Sequence, residues 1–120
     1  MRFLLADPVT STRFALCTLL EQQPGWRVVG EVSSAEHILG QIKVCNADVL
    51  LLDWNLPGLI REEFIPSLKE DYPTLAIIIM SGRPELKKQA CSVGADAFVS
   101  KTEPPDKLLA TITRISTKSG

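Results

Sequence analysis

The chain has 120 residues, of which 45% are hydrophobic, and its 13 lysines and arginines against 14 aspartates and glutamates give a net charge of −1. This length fits one domain with a sizeable core, and the composition excludes a disordered, collagen-like or disulfide-dependent chain. Because the charges are balanced and not segregated, we do not expect this chain by itself to bind nucleic acid or a membrane surface.

Five apolar segments rich in aliphatic and β-branched residues predict β-strands. They lie at residues 3–6, 26–32, 49–52, 75–80 and 97–99. Their apolar residues form continuous runs and do not alternate with polar ones, which is typical of strands buried on both faces of a parallel sheet.

The segments between these strands carry apolar residues at the spacing of an amphipathic helix. The recurring positions are Ala35, Ile38, Leu39 and Ile42, then Leu86, Ala90 and Val93, then Leu108, Ile112 and Ile115. A helix is also expected near residues 60–70, and the Pro-Gly pair at 24–25 is expected to end the first helix. Ser33 and Glu36 have the spacing of a capping box, and Gly94 has the position of a C-terminal stop.

The alternation of strands and helices predicts an α/β fold. Units of about 20–25 residues imply right-handed crossovers, and five such units favour a flavodoxin-like doubly wound sheet of five parallel strands in the order 2-1-3-4-5, with helices on both faces. We expect this domain to cover residues 1–116. Residues 117–120 are expected to form a polar tail, where a linker to an output domain could begin.

The chain shows no feature of export or membrane insertion. Its first residues lead directly into a predicted strand, and its longest apolar runs, such as residues 75–80, are far shorter than the roughly 20 residues that span a bilayer. We therefore expect a cytoplasmic protein. Cys17, Cys45 and Cys91 are odd in number and widely spaced, which gives no support to a disulfide framework or a zinc site and predicts buried free thiols.

Polar residues stand where four of the predicted strands end. Asp7 follows the first strand, Asp53 the third, Ser81 the fourth and Lys101 the fifth. In the predicted order these strands are neighbours, and parallel sheets collect functional groups beyond the carboxyl ends of their strands. Two carboxylates, a hydroxyl and an ammonium suit a divalent cation and a phosphoryl group, because oxygens ligate magnesium while the other two groups bind phosphoryl oxygens.

Taken singly, three of these residues have a structural explanation as well. Asp7 could cap the first helix with Pro8 as its first residue, Ser81 could belong to a turn, and Lys101 could be a solvated surface lysine. Asp53 is different, since it closes the most apolar strand, where a carboxylate is costly unless it emerges at the sheet edge for a purpose. The joint placement therefore favours a functional site.

Three motifs resemble the receiver domain of bacterial two-component response regulators. The sequence DWNLPG beginning at Asp53 matches the stretch that starts with the phosphoacceptor aspartate, MSG at 80–82 matches the switch Ser/Thr, and GADAFVSK at 94–101 matches the segment with the aromatic residue and the lysine. The resemblance covers nearly the whole chain. The sequences KTEP at 101–104 and WRVVGE at 26–31 are most similar to the NarL/LuxR class, whose receivers precede a helix-turn-helix.

The resemblance implies that the chain takes a phosphoryl group from a sensor histidine kinase or a small phosphodonor and forms an aspartyl phosphate. The implied roles are phosphoacceptor for Asp53, phosphoryl binding for Lys101 and Ser81, Mg²⁺ binding for Asp7, Asp53 and the backbone carbonyl of Asn55, and switching for Ser81 and Phe98. Phe98 could also be an ordinary core residue.

By the same resemblance, the output would be a changed binding surface and not catalytic turnover, so we do not expect an enzyme. Transcription would be controlled through a separate DNA-binding output domain that is absent from this chain, and a homodimer is a further arrangement that the family allows. Partners would therefore be the phosphodonor, a second copy, or DNA by way of the output domain.

The sequence departs from the family at one position. Most members carry two adjacent acids after the first strand, whereas here the pair is Asp7-Pro8, so one metal ligand is missing. We therefore expect weak Mg²⁺ binding. Pro8 also supports an alternative, a pseudo-receiver that binds proteins without being phosphorylated. Two further alternatives fit less well: a haloacid-dehalogenase-type phosphatase, and a flavodoxin, which would need a phosphate-cradling loop near residues 10–12.

Overall fold

The structure is a computed structural model that describes the backbone of residues 1–119 and the side chains of residues 1–116. The strands are β1 (Arg2–Ala6), β2 (Arg27–Val32), β3 (Val49–Asp53), β4 (Ala76–Ser81) and β5 (Ala97–Ser100). The helices are α1 (Thr10–Glu21), α2 (Ile38–Cys45), α3 (Arg61–Asp71), α4 (Lys87–Ser92) and α5 (Pro105–Ser119). Among the described residues, no helix combines the length and apolar character that crossing a membrane requires.

The five strands form one parallel sheet in the order β2-β1-β3-β4-β5, which confirms the predicted flavodoxin-like arrangement. The central strand β3 pairs with β1 on one side and with β4 on the other, and all five of its residues are buried. The predicted tail at 117–120 extends past the described side chains: the backbone of α5 continues to Ser119, and Gly120 lies outside the described residues.

Alternate residues of each strand face the two sides of the sheet, where each side packs against its own helices. One side carries the buried residues of α2, α3 and α4, namely Ile38, Ile42, Ile65, Leu68 and Ala90. The other side carries those of α1 and α5, namely Leu20, Leu108 and Ile112. The continuous apolar strands of the sequence are explained by this double coverage, because both faces of the sheet are removed from water.

Local signals at the helix ends are confirmed in one case and wrong in another. Gly94 follows α4 with a φ of 105°, a conformation that favours glycine, as the predicted stop requires. The capping box is wrong: the N-cap of the 3-10 turn before α2 is Ser34, and it makes no side-chain cap. The backbone N–H of Ala35 instead donates to the carbonyl of Pro57 at 2.9 Å, so a neighbouring loop satisfies this helix start.

The three cysteines are free thiols. Cys17 and Cys45 are half-buried, whereas Cys91 is exposed on α4, so the prediction of burial is wrong for Cys91. The reason lies in the orientation of α4, which turns the adjacent Ala90 toward the core and Cys91 away from it.

Candidate functional site

The sheet brings the four predicted polar residues to one edge. Asp53 and Ser81 are the last residues of β3 and β4, while Asp7 and Lys101 directly follow β1 and β5. Backbone contacts continue the sheet into this edge, since the N–H of Lys101 donates to the carbonyl of Ser81 at 2.7 Å. The site is therefore built on rigid neighbouring strands, which fixes the separation of its side chains.

Lys101 joins the two carboxylates of the site. Its ammonium Nζ lies 2.6 Å from Oδ2 of Asp7 and 2.6 Å from Oδ1 of Asp53. The two aspartate side chains are only 5% and 9% exposed, compared with 26% for the lysine. Two like charges that are this deeply buried need a shared counter-ion, and the close ammonium supplies it.

The two carboxylates set the protonation state of Lys101. Burial by itself would lower the pKa of the ammonium, but the hydrogen bonds and charges of Asp53 and Asp7 outweigh it, so the pKa of Lys101 lies above its ordinary value of 10.5. Lys101 is therefore a permanent cation at neutral pH, which is the state needed to bind a phosphoryl group.

The remaining carboxylate oxygens are held by the loops that follow the strands. Oδ1 of Asp7 accepts the N–H of Val9 at 2.9 Å, and Oδ2 of Asp53 accepts the N–H of Asn55 at 3.0 Å. Asp7 is thus not the N-cap of α1, which is Val9, and the capping explanation for it is wrong. Each of the four oxygens has an N–H partner, so both side chains are fixed in position.

Ser81 and Phe98 lie on neighbouring strands. Ser81 is buried, and its hydroxyl accepts the N–H of Arg83 at 3.1 Å, the contact of a local turn. Phe98 pairs with Ile79 across β4 and β5, and its ring is half-buried against the core on the side of α2, α3 and α4. The ring of Phe98 and the hydroxyl of Ser81 therefore lie on adjacent strands.

Two arginines contact the site, and neither was identified from the sequence. Nη1 of Arg13 in α1 donates to the backbone carbonyl of Asp7 at 2.6 Å, and its Nε lies 3.0 Å from Glu31. Arg61 in α3 donates to the backbone carbonyl of Trp54 at 2.8 Å and lies over its indole ring. Helical spacing places both arginines on helices, but it carries no information about these loop contacts.

The side chains of the site offer a magnesium ion few ligands. The described residues contain no group of three or more His, Cys, Asp or Glu side chains that could hold a metal ion. The carboxylates of Asp7 and Asp53, with the backbone carbonyl of Asn55, are the oxygens that could serve, and Pro8 adds none. Mg²⁺ prefers near-octahedral coordination by oxygen. These three protein groups therefore fit an ion whose other coordination positions are filled by water or by a bound phosphoryl group.

Comparison with known proteins gives one family match. The model of the response regulator receiver domain matches residues 3–113. The chain is similar to the probable transcriptional regulatory protein SgaR of Hyphomicrobium methylovorum, at 26% identity over 93% of this chain and 54% of that protein. It is similar to the phosphate regulon transcriptional regulatory protein PhoB of Escherichia coli, at 30% identity over 92% of this chain and 49% of that protein. The chain spans about half the length of these curated relatives.

Solved structures share the fold. The RcsB response regulator of Salmonella typhimurium superposes with a TM-score of 0.87 at 23% identity, covering 98% of this chain and 60% of that one. A LuxR-family two-component response regulator from Aurantimonas sp. SI85-9A1 superposes with a TM-score of 0.88 at 24% identity, covering 98% and 85%. These superpositions show that the chain shares the fold of both proteins.

Proposed function

The chain belongs to the response regulator receiver domain family, and from this premise we propose that it is a phosphoacceptor receiver that is switched by phosphorylation of Asp53. The observation that carries the proposal is the Lys101 ammonium, held 2.6 Å from the carboxylates of both Asp7 and Asp53. It provides a fixed cation beside a carboxylate nucleophile at the end of the central strand, which is the arrangement that phosphoryl transfer needs.

The proposed reaction transfers one phosphoryl group. An oxygen of the Asp53 carboxylate forms a bond to phosphorus, while the bond between phosphorus and the donor breaks and its electron pair leaves with the donor. The donor is a phosphohistidine of a kinase or a small acyl phosphate. The hydrogen bond from the Asn55 N–H and the contact with Lys101 hold the carboxylate still, which lowers the entropy cost of reaching the attack geometry.

Charge balance explains how the product would be held. A phosphorylated side chain carries roughly −1.5 to −2 charges. With Asp7 still ionised, the single charge of Lys101 does not neutralise the site. When bound, Mg²⁺ would supply the missing positive charge and polarise the phosphoryl oxygens. Asp7, Asp53 and the Asn55 carbonyl would hold it.

The switch is proposed to act through Ser81 and Phe98. A phosphoryl oxygen competes with the Arg83 N–H for the Ser81 hydroxyl, because a charged acceptor forms the stronger hydrogen bond. Movement of the hydroxyl would leave space for the half-buried ring of Phe98 to turn inward. The surface of α4, β5 and α5 would then change, and a partner that distinguishes the two forms would respond.

The proposed partners follow the family. Phosphoryl groups would come from a sensor histidine kinase or a small phosphodonor. The described relatives are transcriptional regulators of about twice this length, which supports control of transcription in the cytoplasm through an output domain outside this chain. Homodimerisation on phosphorylation is proposed on the same basis, which is membership of the family.

The proposal is tested by intact-mass measurement after incubation with acetyl phosphate and Mg²⁺. We expect the mass of the chain to increase by one phosphoryl group, and we expect hydroxylamine, which cleaves acyl phosphates, to remove the increase. Samples without donor and samples with excess chelator serve as controls. If no adduct forms at any Mg²⁺ concentration, the phosphoacceptor proposal fails.

A pseudo-receiver is the second candidate, and two observations favour it. Pro8 provides no metal ligand, and all four carboxylate oxygens of Asp7 and Asp53 already have protein partners. In this case the domain would keep the surface of α4, β5 and α5 and bind a partner through it independently of phosphorylation. The same mass experiment separates the candidates, since only the phosphoacceptor gains a phosphoryl group.

Replacement of Pro8 by aspartate is expected to tighten Mg²⁺ binding by about tenfold or more, because it adds a carboxylate oxygen beside Asp7. Trp54 adjoins Asp53, so we expect its fluorescence to report binding, whereas Trp26 packs against Phe3 at the opposite edge of the sheet, with ring centroids 5.3 Å apart. The titration is therefore done in a Trp26→Phe background.

The matched control is Pro24→Asp, which makes the same change at an exposed turn far from the site. It should leave the affinity for Mg²⁺ unchanged. Equal affinities of the Pro8→Asp variant and the parent protein, or micromolar affinity in the parent itself, would show that Pro8 does not limit metal binding.

A further inference from the structure

We propose that Arg61 is a positioning residue for the Asp53 carboxylate and acts on it through the single peptide unit between Trp54 and Asn55. The proposal deepens the function given above and rests on it. Arg61 does not touch the reacting atoms. Its guanidinium holds one end of a peptide group whose other end holds the carboxylate.

The two contacts are made at opposite edges of the same planar peptide group. The carbonyl oxygen of Trp54 accepts a hydrogen bond from Nη1 of Arg61 at 2.8 Å. The N–H of Asn55, which belongs to that same peptide group, donates to Oδ2 of Asp53 at 3.0 Å. Because a peptide group is planar, fixing its carbonyl also fixes the direction of its N–H. Arg61 thus determines whether this N–H points at Asp53.

Polarisation strengthens the same connection. A cation bound to the carbonyl oxygen draws electron density from the peptide group and makes its N–H a stronger donor. The Asn55 N–H then binds Oδ2 of Asp53 more firmly and leaves Oδ1 facing Lys101. We therefore expect the carboxylate of Asp53 to keep one orientation, in which Oδ1, the oxygen that contacts Lys101, is available to attack phosphorus.

Arg61 is itself held in a well-defined position. Its guanidinium carbon lies 4.0 Å from the centre of the indole ring of Trp54, a side chain that is buried. The Nε of Arg61 is buried and finds no acceptor among the described residues. An unpaired buried donor is costly, so the stacking and the carbonyl contact must stabilise this placement. The guanidinium is thus directed at the peptide group and not at a carboxylate.

The Asn55 amide gives a direct test in the full chain. We expect Arg61→Met to shift the Asn55 amide proton upfield and to speed its hydrogen exchange about tenfold, since the N–H loses its fixed direction. Phosphorylation of the variant by acetyl phosphate should slow by about tenfold, close to the lower limit of what one hydrogen bond to a charged group contributes. Arg61→Lys keeps a cation and should restore part of both effects.

Arg27→Met is the matched control, because it removes an exposed guanidinium at the start of β2. It should leave the Asn55 amide and the rate unchanged. Urea unfolding of each variant measures stability separately. If Arg61→Met lowers stability while the Asn55 amide keeps its shift and exchange rate, Arg61 is only structural and the proposal is overturned. Failure of the parent chain to be phosphorylated would instead contradict the proposed function. The chemical shift and exchange rate of the Asn55 backbone amide would still test the role of Arg61.

Discussion

Asp53→Asn is expected to abolish the phosphoryl adduct, reducing its yield to below about a hundredth of that of the parent chain. The amide has the shape of the carboxylate but lacks a nucleophilic oxygen. The variant should still fold, because Lys101 keeps its partner Asp7 and the amide oxygen can accept the N–H of Asn55. Intact mass after incubation with acetyl phosphate and Mg²⁺ measures the loss.

The control is Asp106→Asn, which makes the same acid-to-amide change at an exposed position in the first turn of α5. Its adduct should match that of the parent chain. An undiminished adduct in Asp53→Asn would mean that another side chain accepts the phosphoryl group, and the role given to Asp53 would be wrong.

Lys101→Met is expected to lower both stability and reactivity. It leaves the carboxylates of Asp7 and Asp53 buried without their shared cation. Breaking a fully buried pair costs about 3–5 kcal/mol, and because Lys101 is 26% exposed we expect about 2 kcal/mol here. Phosphorylation should slow by about a hundredfold, because the charge that develops on the phosphoryl oxygens loses its positioned cation.

The effect on stability should depend on pH with a defined sign. The hydrogen bonds and charges of Asp53 and Asp7 raise the pKa of Lys101 above 10.5, in spite of its burial. A raised pKa means that the stabilisation is fully present below the lysine pKa of the unfolded chain and is lost as pH rises through the higher pKa of the folded chain. The difference between parent and variant should therefore be constant near neutral pH and shrink in strongly alkaline solution.

Urea unfolding at several pH values measures this difference, with Lys43→Met on the exposed part of α2 as the control. Lys43→Met should change the free energy of unfolding by less than about 0.5 kcal/mol. Suppose instead that Lys101→Met is as stable and as reactive as the control. The contacts of the Lys101 ammonium with the two carboxylates would then contribute neither to stability nor to phosphorylation in solution.

The sequence predicted the fold well because its strands are buried on both faces. The apolar segment 49–52 indicated a strand buried on both faces, and the alternation of strands and helices favoured the order that places it at the centre. The meeting of Asp7, Asp53 and Lys101 at one edge followed from that topology. It needed no knowledge of side-chain contacts, because parallel strands bring their carboxyl ends together.

Contacts made by loops could not be predicted in the same way. The failed capping box at Ser33 shows this, because the N–H of Ala35 binds the carbonyl of Pro57, a residue in a different loop. Arg61 was missed for a related reason: its contact with Trp54 depends on the path of the six residues between them, which show neither helical nor strand periodicity. Such contacts are set by tertiary packing, which the sequence pattern does not encode locally.

Direct identification of the modified residue is the most decisive measurement. Borohydride reduces an aspartyl phosphate to homoserine, and peptide mass spectrometry then locates the homoserine in the chain. We expect homoserine at position 53 in the chain treated with acetyl phosphate and none in the untreated chain. Modification at another acidic residue, or a phosphoryl group on His37, the only histidine, would contradict it.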